Sequence, residues 1–240
     1  VVTAGMVSTT WVQFIKGTLL VVFSAILTVM LFAQGFKTAG GGNDGYTFRQ
    51  LGPFRGNDDE LIDQPVAASK LAAEIGETLL PTDGGWAATS FVRTRNEESG
   101  KVTTWQIRLP GHGMSPEELA TVQLLAHAYA YEAQTVGKDA NGNVLVNSEI
   151  KGKKKGEPEL HPVGHISKLP GGVDETGPLG PLSFFSTLQE SEVVLWGSEK
   201  VKEANDTTTT VYFQKPTPGS QILRPGEHPK FKGIRSDSFV

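Results

Sequence analysis

The residues with the most evident chemistry lie in an apolar segment at the start of the chain. Lys16 is the only charged residue among the first 36, and an ionisable side chain inside an apolar run marks a functional site by default. Thr10 and Gln13 add polar groups that can face a helix bundle or a water path. The competing interpretation is structural: Lys16 extends its charge to a membrane surface and forms an interfacial anchor with Trp11.

The element that must hold these side chains is a membrane-spanning helix. Lys16 separates 15 uncharged residues from 20 more, Gly17 to Phe36, and a bilayer core takes about 20 mostly apolar residues as a helix. The predicted span is Thr9 to Phe32, roughly 36 Å long at about 1.5 Å per residue. Lipid offers the backbone no hydrogen-bond partner, which favours a helix. A cleaved signal peptide ending near Ala33 is the alternative, and the length of the run counts against it.

The stretch Ala4 to Gly17, AGMVSTTWVQFIKG, resembles a helix of the sodium:solute symporter family, which begins with a Gly-x-x-(small)-x-x-Trp-x-x-x-(Ile)-x pattern. Within that family, Thr9-Thr10-Trp11-Val12-Gln13 followed by Ile15-Lys16 looks most like the cation/acetate symporter branch. The sugar and proline branches have an aspartate two places after the tryptophan, where this chain has Gln13. The resemblance covers about residues 4 to 35, and the last seven residues, 234–240, look like the lead-in to the family's next helix.

The resemblance implies a LeuT-like helical transporter that couples entry of sodium, or of protons, to uptake of a small monocarboxylate such as acetate. Thr10, Trp11, Gln13 and Lys16 are then candidate residues of a transport helix, with no catalytic residue, no metal site and no cofactor, sodium being the coupling ion. It also implies an inner-membrane location with residues 37–240 extracytoplasmic, in the periplasm. The implied partners are the lipid bilayer, the remaining helices of the full-length transporter and the small carboxylate solute.

Composition limits the other functional classes. The chain has 22 basic and 26 acidic residues and a net charge of −4, which argues against nucleic acid as a main partner. It has no cysteine, which excludes disulfides, thiolate metal sites and cysteine nucleophiles. It has no Gly-x-Ser-x-Gly elbow, phosphate-binding loop or His-Glu-x-x-His motif, so we expect no enzyme. Because Val1 stands at the edge of an apolar segment without a preceding methionine, we expect an internal fragment of a longer membrane protein.

The expected fold is that of a membrane protein fragment, with one transmembrane α-helix followed by a small α+β extramembrane domain with Gly/Pro-rich loops. The expected order is a transmembrane helix over residues 1–36, a flexible linker over 37–63, an α+β core over 64–150, a Gly/Pro-rich linker over 151–182, a strand-rich return segment over 183–214 and the lead-in to the next transmembrane helix over 215–240.

Two helices are predicted in the α+β core. The first, Pro65 to Leu80, has proline at its first position and a second proline directly after its end. The second, Ser115 to Val136, opens with a capping box that includes Glu118. Its apolar residues recur at helical spacing, with His127 and Tyr131 on the helix surface.

Strands are predicted on both sides of the second helix. Trp86 to Arg95 and Lys101 to Leu109 flank a five-residue loop that contains glycine, which predicts a β-hairpin. Trp105 and Ile107 share one face of its second strand and should pack on a helix. Asn141-Gly142 predicts a second hairpin turn. Two further strands are expected at Val193–Trp196 and Thr209–Phe213.

Several polar patterns have a chemical interpretation that is weaker than a structural one. Glu159, His161 and His165 could ligate a metal, but two histidines four apart need a helix, and Pro162 and Gly164 argue against one. We expect the acidic segment 57–63, the turn 139–143 and the lysine-rich segment 151–155 to be solvated turns or loops.

Two other functions remain open. One is a single-pass, membrane-anchored extracytoplasmic domain with a binding or scaffold role and no transport. The other is a secreted protein behind a cleaved leader. The number of further apolar segments in the full-length protein separates transporter from anchor, and a mature N-terminus just after Ala33 would indicate secretion.

Overall fold

The computed structural model describes residues 2–55, 62–109, 127–139, 141–152, 157–204 and 207–222. The chain divides into two compact units. Unit 1 comprises Val1–Thr38, Ile166–Val193 and Thr217–Val240, and unit 2 comprises Ala39–His165 and Val194–Pro216.

The described residues form four α-helices and ten strands. The helices are α1 (Val2–Gln34), α2 (Gln64–Ile75), α3 (Pro181–Glu190) and α4 (Gly219–Ile222). The strands are β1 (Gln50–Arg55), β2 (Thr78–Leu79), β3 (Phe91–Arg95), β4 (Val102–Arg108), β5 (His127–Lys138), β6 (Val144–Val146), β7 (Glu149–Ile150), β8 (His165–Lys168), β9 (Glu192–Lys202) and β10 (Thr208–Pro218). Short 3-10 turns occur at Asn43–Gly45, Gly84–Ala88 and Pro170–Gly172.

Helix α1 leaves its apolar surface uncovered. It has 33 residues, and the side chains from Trp11 to Leu31 are all exposed. Its segment Trp11–Gln34, 24 residues long, is apolar and long enough to cross a membrane, and none of it is buried by the other described residues. At about 1.5 Å per residue this segment measures roughly 36 Å, against about 30 Å for a bilayer core. The predicted apolar helix is therefore confirmed, and it is longer at both ends.

A glycine and a distant segment close the C-terminal end of α1. Gly35 adopts a φ of +66°, the left-handed conformation that commonly ends a helix, and its N–H donates to the carbonyl of Leu31 at 3.1 Å. The N–H of Leu179 donates to the carbonyl of Phe32 at 2.8 Å. Two carbonyls of the last turn thus have partners, although no further helical turn follows to supply them.

Helix α2 confirms the first helix predicted in the core, with a shorter C-terminal end. The carboxylate of Asp63 caps its start by accepting the N–H of Val66 at 2.9 Å, as expected at this position. Gly76, with a φ of +67°, ends it in the left-handed conformation. Thr78 and Leu79, expected in the last turn, form β2 instead and pair with β3, because the chain reverses after Gly76.

Unit 2 is mostly sheet, and β5 is its central strand. Strands β2, β3, β4 and β5 are neighbours in that order, and β10 and β9 follow. The first half of β5 pairs with β1 and β4, and its second half pairs with β6 and β10, all antiparallel. A helix packed on a sheet of this kind agrees with the expected α+β class.

Two apolar clusters lie on opposite faces of this sheet. In the first, Trp105 and Ile107 of β4 pack with Leu71 of α2, as predicted for this face of the hairpin. The remaining buried members of this cluster are Phe54, Ile62, Ala67, Ala68, Val92, Ala128 and Ala130. The second cluster consists of Trp86, Phe91, Ala133, Val201 and Val211, with Phe213 packed against it. Burial of each large side chain stabilises the fold by about 1.5–3 kcal/mol.

Strand β5 corrects the prediction of a second core helix. Residues 127–136, expected as the C-terminal part of the helix Ser115 to Val136, are extended, while residues 110–126 lie outside the described residues. Ala128 and Ala130 are fully buried, and the residues that alternate with them, His127, Tyr129 and Tyr131, are partly exposed. This alternation is the period of a strand. Pairing along both edges overrides the helix propensity of alanine.

The predicted hairpins are confirmed with adjusted boundaries. Strands β3 and β4 pair in register from Phe91 with Gln106 to Arg95 with Val102, and the expected strand start at Trp86 is a 3-10 turn instead. The turn after β5 is built on Asp139, whose carboxylate accepts the N–H groups of two residues in the turn, at 2.9 and 2.8 Å. Strands β9 and β10 contain the two later predicted strands and extend beyond them.

Three features lie in segments for which loops or strands were expected. Strand β1 falls inside the expected flexible linker 37–63 and pairs with β5. Strand β8 falls inside the Gly/Pro-rich stretch 151–182 and is the last strand in the sheet order, where proline and glycine are tolerated. Helix α3 begins at Pro181, a favourable first helical residue, and its residues 183–190 are helical where the strand-rich return segment 183–214 was expected.

Candidate functional site

The candidate transport residues all belong to α1. Trp11, Gln13 and Lys16 are exposed on it, and Thr10 lies one residue before Trp11 in the same helix. The ring of Trp11 meets that of Phe14 edge to face, with centroids 6.1 Å apart. The structure brings no other described side chain into a hydrogen bond or ion pair with Gln13 or Lys16, so any site at these residues needs groups from outside the described chain.

A second candidate site lies in unit 2 and was not anticipated from the sequence. We call it the polar cluster: Tyr46, Arg49, Glu132 and His161. Tyr46 and Arg49 lie between the 3-10 turn Asn43–Gly45 and β1, Glu132 lies on β5, and His161 precedes β8. The fold therefore joins three separate parts of the chain at one side of β5.

Glu132 is the centre of the polar cluster. Its side chain is 4% exposed, and one carboxylate oxygen accepts the hydroxyl of Tyr46 at 2.6 Å. The other oxygen accepts both the backbone N–H and the Nε–H of Arg49 at 3.0 Å. A buried carboxylate is tolerated only with such partners. The guanidinium of Arg49 also lies over the ring of Trp105, 4.7 Å from its centroid, which anchors the charge pair to the apolar core.

Tyr46 serves as a hydrogen-bond donor in this arrangement. Burial, followed by the hydrogen bond and the charge of Glu132, raises the pKa of the Tyr46 hydroxyl well above its usual range. The phenol therefore keeps its proton at physiological pH. It positions the segment around Tyr46 against β5, and it does not act as a base.

His161 completes the polar cluster by stacking on Tyr46. The two rings are nearly parallel, 5° apart, with centroids separated by 4.3 Å. The Nδ1 atom of His161 lies 2.6 Å from the side-chain oxygen of Asn43, so Nδ1 carries a proton when it donates this bond, and Nε2 of a neutral ring is then an acceptor. The backbone N–H of His161 donates to the side-chain oxygen of Gln134 at 2.7 Å, which fixes the loop on β5.

A cavity of about 420 Å³ adjoins the polar cluster. Its polar lining side chains are Tyr46, Lys101, Gln134, Asn147, Glu149, Glu157, Glu159 and His161. This volume falls in the range of small-molecule sites. Among the described residues, three carboxylates and one lysine line this cavity, a balance that favours a small, hydrophilic and cationic molecule over an anionic one.

A larger cavity, of about 740 Å³, lies elsewhere in unit 2 beside Trp86, Arg93 and Glu203. The indole N–H of Trp86 donates to Glu203 at 2.9 Å, and the guanidinium of Arg93 lies 4.3 Å from the Trp86 ring centroid. Arg93 also pairs with Glu203 at 3.6 Å. Trp86, Arg93 and Glu203 thus pair with one another, which indicates a structural role in covering the second apolar cluster.

Of the residues weighed for metal binding, Glu159 and His161 approach each other, with Oε1 and Nδ1 3.8 Å apart. His161 bonds to Asn43, whereas Nδ1 of His165 lies 3.2 Å from the carbonyl of Val163. Across the described residues, no group of three or more histidine, aspartate or glutamate side chains is placed to hold a metal ion. Asp63 caps α2. The acidic residues 58–60 and the lysines 153–155 lie outside the described residues. So do the first two residues of the Asn-Asp-Thr sequence 205–207, a glycosylation sequon.

One local signal of the polar cluster was present in the sequence. Glu132 follows Ala128 and Ala130 at a spacing of two, so on a strand it shares their buried face. A charge on such a face requires a partner, but the sequence does not show that Tyr46 and Arg49 supply it. Comparison of the chain with protein-family models, with curated proteins and with solved structures finds no match.

Proposed function

We propose that the chain is part of a secondary active transporter of the sodium:solute symporter type. In this proposal α1 is one membrane-spanning helix and residues 37–240 form an extracytoplasmic domain inserted after it. The observation that carries the membrane part is the uncovered apolar surface of Trp11–Gln34, 24 residues with none buried. The transport part is supported by the resemblance of residues 4–35 to the cation/acetate branch.

The surface of α1 suits lipid and neighbouring helices better than water. A long, strongly apolar helix is found in a membrane or in a protein core, and the other residues that the structure describes do not cover this one. The hydroxyl of Thr28 donates to the carbonyl of Ser24 at 2.8 Å, so it has a partner inside the helix, as a polar group in hydrocarbon requires.

The spacing of the polar residues gives α1 two different sides. Thr10, Gln13 and Lys16 occur at intervals of three, which places these positions along one face of a helix. Trp11 stands on the other side, where an aromatic ring suits the membrane interface. We place the polar face against the remaining helices of the full-length transporter and along the path of sodium and solute, with Trp11 toward lipid.

The proposed substrate is a small monocarboxylate such as acetate, driven by sodium or proton entry across the inner membrane. The test is uptake of labelled acetate by the full-length protein in vesicles with imposed ion gradients. Uptake should require a sodium or proton gradient, and Lys16→Gln should lower it at least tenfold, a loss of about 1.4 kcal/mol. Lys37→Gln, outside the span, is the matched control. Uptake that is unchanged when both gradients are removed would refute the proposal.

A membrane-anchored binding domain is the alternative, and the cavity of about 420 Å³ beside the polar cluster favours it. On this alternative α1 is a single anchor and unit 2 binds a small cationic molecule from outside the cell. Full-length protein with no further apolar spans would support the anchor and exclude the transporter. A cleaved leader is tested by sequencing the mature N-terminus, which would then begin just after Ala33.

A further inference from the structure

Helix α3 of unit 1 carries a second uncovered apolar surface. The side chains of Leu182 and Phe185 are 87% and 54% exposed, and none of the residues of this helix is buried. The two positions are three apart, so they share one side of α3. Ser183 and Glu190 fall toward the opposite side, whereas Ser186, four residues after Leu182, lies beside it, and Gln189, four residues after Phe185, shares its side. The helix is therefore amphipathic, and within the described part of the chain Leu182 and Phe185 remain open.

The other part of that apolar side packs on the end of α1. The ring of Phe184 lies 4.3 Å from that of Phe36 and 5.2 Å from that of Phe32, centroid to centroid. Phe185 in turn meets Phe184 edge to face at 5.9 Å. The uncovered surface of α3 thus continues the apolar surface of α1.

The segment that leads into α3 is fastened to the same end of α1. The N–H of Thr176 donates to the carbonyl of Phe36 at 3.0 Å, and the N–H of Thr38 donates to the carbonyl of Asp174 at 2.9 Å. Together with the bond from Leu179 to Phe32, these contacts hold the start of α3 beside the last turn of the span.

An exposed ion pair indicates the position of the membrane–water interface at the C-terminal end of α1. Lys37 and Glu175 pair at 2.6 Å, and their side chains are 61% and 62% exposed. The hydrogen bond from Lys37, followed by its charge, holds the pKa of Glu175 below its usual range. An exposed charged pair three residues after Gln34 requires the aqueous surface of the bilayer to lie close to the end of α1.

We propose that α3 lies at the bilayer surface where α1 leaves the membrane, with Leu182 and Phe185 inserted among the lipids. This inference rests on the proposed membrane span of α1. An amphipathic helix beside the headgroups buries its apolar side near the acyl chains and leaves its polar side in water. Helix α3, PLSFFSTLQE, contains no lysine or arginine. Its lipid contact therefore depends on apolar area and not on attraction to anionic headgroups.

The absence of cysteine from the chain permits a direct test with single-cysteine variants. Phe185→Cys in the full chain, labelled with an environment-sensitive fluorophore, is reconstituted in phosphatidylcholine vesicles that contain lipids spin-labelled near the headgroup or deep in the acyl chain. Ser183→Cys, on the polar side of α3, is the matched control, and Val22→Cys reports the middle of the span Trp11–Gln34. Leu182→Cys repeats the measurement at the more exposed position.

The shallow spin label should quench the fluorophore at residue 185 at least about twofold more than the fluorophore at residue 183. At residue 185, the deep spin label should quench less than the shallow one. The label at residue 22 should show the reverse depth preference. Replacing a quarter of the phosphatidylcholine by phosphatidylglycerol should not change the result.

Each other outcome identifies what is wrong. If neither lipid quenches the label at residue 22, the membrane span fails and this inference fails with it. If residue 22 is quenched and residues 182 and 185 are not, the span stands and the surface placement of α3 is refuted. A label at residue 185 with an apolar emission spectrum but no response to either spin label would show a protein partner in place of lipid, which also overturns the proposal.

Discussion

Replacing Glu132 by glutamine tests whether the polar cluster holds unit 2 together. The carboxylate accepts three hydrogen bonds, one from the hydroxyl of Tyr46 and two from Arg49. Glu132→Gln keeps the shape and one oxygen, removes the charge, and turns an amide NH₂ group toward donors that it cannot satisfy.

The structure sets the size of the expected loss. Hydrogen bonds to a charged group contribute about 1.5–3 kcal/mol each, so three of them give an upper limit of several kcal/mol. The side chain of Arg49 is 47% exposed, and water can solvate it when the pair is broken. We therefore expect Glu132→Gln to lower the free energy of unfolding by roughly 2–4 kcal/mol, which corresponds to roughly 5–15 °C in Tm.

The assay is urea unfolding of the intact chain in detergent micelles, followed by tryptophan fluorescence. Trp105, under the guanidinium of Arg49, reports the state of the cluster. Glu97→Gln, at an exposed loop position, is the matched control and should change the free energy of unfolding by no more than about 0.5 kcal/mol. The slope of the transition should be the same in all variants.

Two results would refute the reasoning. One is a Glu132→Gln variant that unfolds within about 0.5 kcal/mol of the unchanged chain at equal slope. The other is strict additivity of Glu132→Gln and Tyr46→Phe in the double variant. Residues that share a buried hydrogen bond should show a coupling free energy of about 0.5–3 kcal/mol.

Three further predictions concern glycines, a tyrosine and a turn. Gly35→Ala should destabilise the chain by about 2 kcal/mol or more, since a Cβ there would lie 1.9 Å from the carbonyl oxygen of Gly177 at a φ of +66°. Gly17→Ala, whose Cβ would meet nothing within 4 Å, should be neutral or stabilising by up to about 1 kcal/mol; equal unfolding midpoints for the two variants in micelles would contradict the close approach. Burial is the main cause of the raised pKa of Tyr46, so the protonated hydroxyl contributes its full stabilisation below pH about 10, and this stabilisation is lost as the pH rises above that value. The Tyr46→Phe variant should lack this loss of stability at alkaline pH. A variant whose stability depends on pH in the same way as the unchanged chain would contradict this prediction. A side-chain hydrogen bond within the turn is the main cause of the lowered pKa of Asp139. The Asp139 carboxylate therefore stabilises the turn above pH about 4, and this stabilisation is lost as the pH falls. Asp139→Asn should remove the acid-dependent rise in amide exchange of that turn, and persistence of the rise would show that another group causes it.

The elements that could be predicted from sequence are those whose cause is local. The length and uniformity of the apolar run indicated α1. The glycine-containing loop between two β-branched, aromatic segments indicated the hairpin of β3 and β4. Helix α2 was found from its proline, but its end at Gly76 was missed, because the apolar spacing continues into Leu79.

The elements that could not be predicted depend on contacts between distant parts of the chain. Alanine-rich β5 resembles a helix until strands on both edges supply its hydrogen bonds. Helix α3 is short, and its stability comes from packing on Phe32 and Phe36 rather than from its own periodicity. The polar cluster is of the same kind: Glu132 signals a buried charge, but the identity of its partners depends on the pairing of β1 with β5.

The central position of β5 has a consequence during synthesis of the domain, because one of its partner strands is made much later. Its residues Gln134 to Val136 pair with Thr210 to Tyr212 of β10, which leave the ribosome long after β5 itself. Until then one stretch of the middle strand keeps open backbone groups, a template for wrong pairing with other chains. Nascent chains that carry this domain therefore expose this stretch of β5 until β10 has been made.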